Sequence, residues 1–166
     1  VDLAINNMEA VVALMDNRAE ISNRLRNEFV FKPLGEFASQ KGLVFEVKKG
    51  NEGPAILFKK QNWSHYITVT RDDGRDSDWK NLYIGVSESY KSAGEDRTLP
   101  RVQLSCFSGP DSANNEWWPY GSEWLPCKDW HSTSSYLPMQ TGEVANWIIS
   151  KVTQIIEEIE SRDLPM

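Results

Sequence analysis

Two short alternating runs around a turn-forming pentapeptide constrain this chain more than any other feature. Leu43-Val44-Phe45-Glu46-Val47-Lys48 and Ile56-Leu57-Phe58-Lys59 alternate apolar with polar, and Gly50-Asn51-Glu52-Gly53-Pro54 lies between them. Period-two alternation puts successive side chains on opposite faces of a strand, and Gly, Asn and Pro supply the backbone angles of a turn. A hairpin closing there sets Phe45 opposite Phe58 and Val47 opposite Ile56, so that one face is wholly apolar. An antiparallel sheet with one apolar face must be covered by something else in the chain.

The cover is legible at both ends. From Asp2 to about Glu28, Ile5, Met8, Val12, Met15 and Ala19 recur at three and four, with Leu14, Ile21 and Leu25 on the adjoining stripe. This is an amphipathic helix, acidic near its start and basic near its end, as the helix macrodipole prefers. Pro33 and Gly35 interrupt the pattern, and one more helical turn is expected over Glu36 to Gln40 before Gly42. At the other end Val144, Trp147, Ile148, Val152, Ile155, Ile156 and Ile159 define a second helical face, entered through Thr141-Gly142-Glu143. Between them, further strands are expected at 65–70, from Trp79 to Val86 and from Arg101 to Phe107. The expectation is one α+β domain over 1–166: a long helix at 1–32, an antiparallel meander of four to five strands at 43–107, an aromatic loop at 108–140 and a helix at 141–161. Both helices cover one face of the sheet.

Length and composition agree with a folded globular domain. The 166 residues suffice for a core without disulfides or metal, and 40% hydrophobic with 25% charged content is ordinary. The net charge of -6 argues against the phosphate attraction of nucleic-acid binders, so nucleic acid is the disfavoured partner. Two cysteines read as reduced thiols rather than a disulfide framework. No apolar run approaches the ~20 residues of a membrane helix and no signal-peptide pattern opens the chain, so the expectation is a cytoplasmic protein without a membrane partner. The chain begins on Val1 and enters a helical pattern at once, as a fragment of a longer protein would.

Candidate chemistry is sparse. Glu46-Val47-Lys48 has the E-x-K form in which a carboxylate holds Mg²⁺ and a lysine steadies water or phosphate, but the preceding stretch supplies no strand-borne acid. A solvent-facing Glu46 and Lys48 flanking an inward Val47 is the simpler reading. Asp72, Asp73, Asp76 and Asp78 crowd one turn without the spacing of a calcium loop, and read as a solvated hairpin tip. Cys106, Cys127, His65 and His131 fit no zinc-finger spacing, and no motif marks a nucleophile and its base. No cofactor-binding motif is present. Lys48-Lys49 and Lys59-Lys60 read as edge lysines that discourage aggregation.

The densest feature is aromatic. Four of the seven tryptophans fall within Glu116-Trp117-Trp118-Pro119-Tyr120-Gly121-Ser122-Glu123-Trp124-Leu125-Pro126-Cys127-Lys128-Asp129-Trp130. Rings this large must pack on the sheet, a ligand or a partner. Most are expected to dock, with Trp118 and Trp124 partly exposed beside Tyr120. Trp117, Trp118, Tyr120, Trp124 and Trp130 are therefore the candidate binding residues for a protein partner or for self-association.

The run Phe29-Val30-Phe31-Lys32-Pro33-Leu34, the strand Leu82-Tyr83-Ile84-Gly85-Val86, the Glu116-Trp117-Trp118-Pro119-Tyr120 segment, Asp129-Trp130 and the Thr141-Gly142-Glu143-Val144 helix start occur in an order that resembles one known group. It is the C-terminal region of bacterial and phage PD-(D/E)XK nuclease-superfamily proteins of poorly defined role. There this region follows the catalytic core, so the resemblance implies a non-catalytic accessory module. A metal-dependent nuclease, or its remnant, centred on Glu46 and Lys48 is the alternative.

Overall fold

A computed structural model describes residues 17–48, 54–71, 79–87, 99–110, 112–115 and 117–166. Helix α1 (Arg18–Arg26) runs through a π-helical turn (Asn27–Phe31) into α2 (Lys32–Gln40). Five strands follow, β1 (Val44–Lys48), β2 (Ala55–Lys59), β3 (Tyr66–Arg71), β4 (Leu82–Ser87) and β5 (Ser122–Trp124). A 3₁₀ turn (Thr133–Ser135), the short α3 (Tyr136–Gln140) and the long α4 (Glu143–Ser161) close the chain. The sheet is open and antiparallel throughout, in the order β1-β2-β3-β4-β5. The architecture is α+β, as the change of hydrophobic period requires.

The hairpin register is the one that alternation demands: Phe45 pairs with Phe58 and Val47 with Ile56. The same parity carries across the sheet through Ile56↔Val69, Phe58↔Ile67, Ile67↔Val86 and Val69↔Ile84. These residues share one core with Val30, Leu34 and Phe37 from the N-terminal helices and with Val144, Ile148, Val152, Ile155 and Ile159 of α4. Both helical ends therefore cover one face. Gly142, at φ 80, makes the left-handed entry to α4 that a residue without Cβ tolerates.

Three expectations need correction. The helix does not stop at Pro33: the π-helical turn ahead of it sets Lys32-Pro33 at the first turn of α2, where a missing N–H is harmless. Nor is the apolar stripe of α1 its buried face. Ala19 is exposed and Ile21 and Leu25 are only partly buried, whereas Ser22 and Arg26 are buried. The reason is polar: Ser22 Oγ donates to the Trp130 carbonyl at 3.0 Å, and Arg26 Nη1 donates to the same carbonyl and to Ser22 Oγ. The stripe before residue 17 lies outside the described residues. Finally, Arg101 to Phe107 is no strand. Its alternate amides bond to an irregular loop instead, Val102 to the Pro119 carbonyl and Leu104 to that of Tyr120. The fifth strand is Ser122–Trp124, inside the tryptophan segment.

Candidate recognition site

The sheet face away from the helices carries Leu57, Thr68 and Gly85, all buried, and onto it folds the start of the tryptophan segment. The seat is Gly85. A Cβ there would come within 2.4 Å of Trp118 Cε3 and 2.8 Å of the Gly121 carbonyl oxygen, so only glycine lets the indole lie on β4. Trp118 then meets Tyr83 edge-on at 4.9 Å, and Tyr83 meets Trp124 edge-on at 5.4 Å. Tyr83 and Trp124 are half-buried, and Lys128 Nζ lies 5.0 Å from the centroid of the Trp124 ring. The result is an aromatic ledge along the β4–β5 margin with a cation at one end.

Trp117 is thrust outward next to it. Asn115 Oδ1 accepts the backbone amides of both Trp117 (2.8 Å) and Trp118 (3.1 Å), fixing a side-chain-closed turn. Adjacent residues in such a turn point apart: Trp118 is 8% exposed, Trp117 50%. Trp117 and Leu137 are the large exposed hydrophobic side chains among the described residues.

The other candidate rings are core, against the expectation of a presented Tyr120 and Trp118. Tyr120 has no exposed surface and its hydroxyl donates to the Pro165 carbonyl at 2.6 Å. Trp130 is likewise fully buried, stacked on Trp79 at 5.2 Å and tilted against Phe31, with its indole N–H donated to the Cys127 carbonyl. Of the five aromatic candidates, Trp117 is exposed and Trp124 half-buried, while the other three are buried. The signal that could have separated Trp117 from Trp118 was Asn115, a turn-former at the right distance.

Glu46 and Lys48 alternate outward from β1, away from Phe45 and Val47, and lie 3.6 Å apart as an ion pair. Asp72, Asp73, Asp76 and Asp78 lie outside the described residues. Among the described residues no three His, Cys, Asp or Glu side chains gather as a metal site. Burial, only partly offset by the nearby Lys151 ammonium, pushes the Cys106 thiol up to about 11. Burial also raises Cys127, more than the hydrogen bond from Ser135 lowers it. Neither thiol is a ready nucleophile near neutral pH. No helix among the described residues is long and apolar enough to cross a membrane.

Two polar contacts, missed in the sequence, tie β5 and the Ser105–Cys106 segment to the last helix. Glu123 of β5 shares the helix-facing side with Ile84, and Lys151 of α4 reaches it at 3.0 Å while donating to the Cys106 carbonyl at 2.7 Å. The Phe107 and Trp147 rings flank the same ammonium. Glu158 accepts the backbone amides of Ser105 and Cys106 and the hydroxyl of Ser105, and pairs with Arg162. Comparison with protein families, with curated proteins and with solved structures yields no match to this chain.

Proposed function

We propose that this chain is a non-catalytic recognition or assembly module that engages a protein partner through Trp117 and Trp124, as an accessory domain of a larger nuclease-like protein. The observation that carries the reading is the opposed fate of two neighbouring tryptophans, Trp118 locked on Gly85 and Trp117 half-exposed on a turn closed by Asn115. Leaving an indole wet is unfavourable, and a rigid turn lowers the entropy lost when it docks. Aromatic anchors beside a cation are the residue types that dominate protein interfaces, and Lys128 stands beside Trp124. The acidic balance of the chain favours protein over nucleic acid as the partner.

The test compares wild type, Trp117→Ala and Trp124→Ala as immobilised baits in native extract, with melting temperature as the control. A partner retained by wild type, lost by Trp117→Ala at unchanged melting temperature and recovered in Trp117→Phe supports the reading. Identical retention by all baits refutes it. Magnesium-dependent cleavage of DNA or RNA that disappears in Glu46→Ala would replace it with the nuclease alternative.

A further inference from the structure

The aromatic ledge holds out hydrogen-bond donors that this chain does not use. Trp124 is half-buried, and its indole N–H meets no acceptor among the described residues. Lys128 is exposed, and its ammonium lies 5.0 Å from the Trp124 ring centroid without an ion pair among the described residues. The neighbouring Asp129 is already spent on the backbone amides of His131 and Ser132, at 2.9 and 3.2 Å. An indole N–H and an ammonium donate and cannot accept. The apolar part of the surface lies beside them: Tyr83 faces Trp124 directly across β4 and β5, and the two rings meet at 84°. Rings at a right angle make a step rather than a flat plate.

We propose, resting on the reading of this ledge as a protein-recognition surface, that the partner lays across it a proline-rich segment in the polyproline II conformation, with a carboxylate placed to meet Lys128. The ledge discriminates among backbones. A helix has spent its carbonyls on its own amides, so along its length it has none to offer the Trp124 N–H. An added strand needs an open sheet edge, and on this side Ser122 of β5 exchanges two backbone hydrogen bonds with Ala113. A polyproline II segment makes no internal hydrogen bonds, so its carbonyls point outward as acceptors. Each proline also removes an N–H that a surface of donors would leave unsatisfied. The pyrrolidine rings are stiff apolar blocks that suit a step between aromatic rings. Their conformation exists before binding, which lowers the ordering cost. The carboxylate follows from charge complementarity with Lys128, whose ammonium the Trp124 ring attracts but does not neutralise.

Calorimetric titration of the full chain with synthetic peptides tests this, with melting temperature as the control for every variant. The probe is a polyproline peptide of about ten residues ending in glutamate. Its comparisons replace the prolines by alternating glycine and serine, or the glutamate by lysine. The glutamate-ended polyproline binds about tenfold more tightly than the glycine–serine peptide and about fivefold more tightly than the lysine-ended one. Trp124→Phe, which keeps a ring but removes the N–H, weakens the polyproline peptide about fivefold. Lys128→Glu, a change at an exposed position, reverses the charge preference at unchanged melting temperature, so that the lysine-ended peptide becomes the tighter ligand. Equal affinity for the polyproline and glycine–serine peptides, or no saturable binding up to about 1 mM, overturns the proposal. So does undiminished affinity in Trp124→Phe or an unchanged preference in Lys128→Glu. A partner captured from extract through Trp117 while the polyproline peptide fails to bind keeps the recognition surface and removes this ligand. Failure of both removes both.

Discussion

The closest approach to any described glycine, Trp118 on Gly85, makes Gly85→Ala the sharpest test of how the tryptophan segment is held. The added methyl would meet Trp118 Cε3 at 2.4 Å, the Gly121 carbonyl oxygen at 2.8 Å and Ser122 Cβ at 2.8 Å. Two of the three belong to the backbone or its first side-chain atom, so a rotamer change at Trp118 cannot relieve them. The loop from Trp118 to Ser122 must move as a unit, and it is tied by Val102, Leu104 and Ala113 through backbone hydrogen bonds. Overpacking typically costs about 1–3 kcal/mol, and the rigidity of this seat places Gly85→Ala near the upper end, about 3 kcal/mol. For a domain of this size that is roughly a 6–12 °C fall in melting temperature. Thermal and urea unfolding of Gly85→Ala, Trp118→Ala and the double variant measure it. The double variant should be at least about 1 kcal/mol more stable than the sum of the single losses implies, because the ring is already displaced once the methyl is present. A Gly85→Ala protein that melts within a degree of wild type, or strict additivity, would show that Trp118 does not sit on β4.

Three further outcomes follow from the polar contacts. Glu123→Ala strips the Lys151 ammonium of its carboxylate in a nearly closed site and should cost about 3 kcal/mol in urea unfolding, whereas Glu123→Ala/Lys151→Met should recover part of that loss. Burial opposes the charge on Glu158, but its hydrogen bonds from Ser105, Arg162 and Cys106 outweigh it and hold the carboxyl below its usual 4.5. A depressed folded-state value means stability fully present above 4.5 and lost as pH falls through the lower folded value, so melting temperature should decline over that acidic window and Glu158→Gln should flatten the decline. The Cys106 thiol, raised to about 11, should resist alkylation at pH 8 in the folded chain and react freely once urea unfolds it.

What could be read from the residues was whatever rests on period. Phe45, Val47, Ile56 and Phe58 specify a register because a strand's side chains alternate without exception, and α4 specifies its face because seven apolar positions repeat at helical spacing. Where a polar contact with a distant residue decides, the pattern misleads. Ser22 and Arg26 are buried for the sake of one carbonyl on Trp130, and nothing within α1 announces it. Arg101 to Phe107 alternates like a strand, yet its amides find Pro119 and Tyr120 rather than a neighbour in the sheet. The candidate site divides the same way. That the tryptophans must dock was legible from their size, but which of Trp117 and Trp118 stays outside depended on a cross-strand glycine and on Asn115.

The carbonyl of Trp130 also dictates an order of assembly. Strands β1 to β4 pair only with neighbours in sequence, so this part of the sheet can form as soon as it has left the ribosome. Helix α1 emerges earlier but cannot finish, because Ser22 and Arg26 reach an acceptor 108 and 104 residues later in the chain. Until that acceptor arrives, the Arg26 guanidinium has Ser22 and Asn23 of its own helix for partners and no reason to leave water. The first described helix to be synthesised is thus among the last to settle, and a truncation that stops short of Trp130 should leave α1 undocked on an otherwise paired sheet.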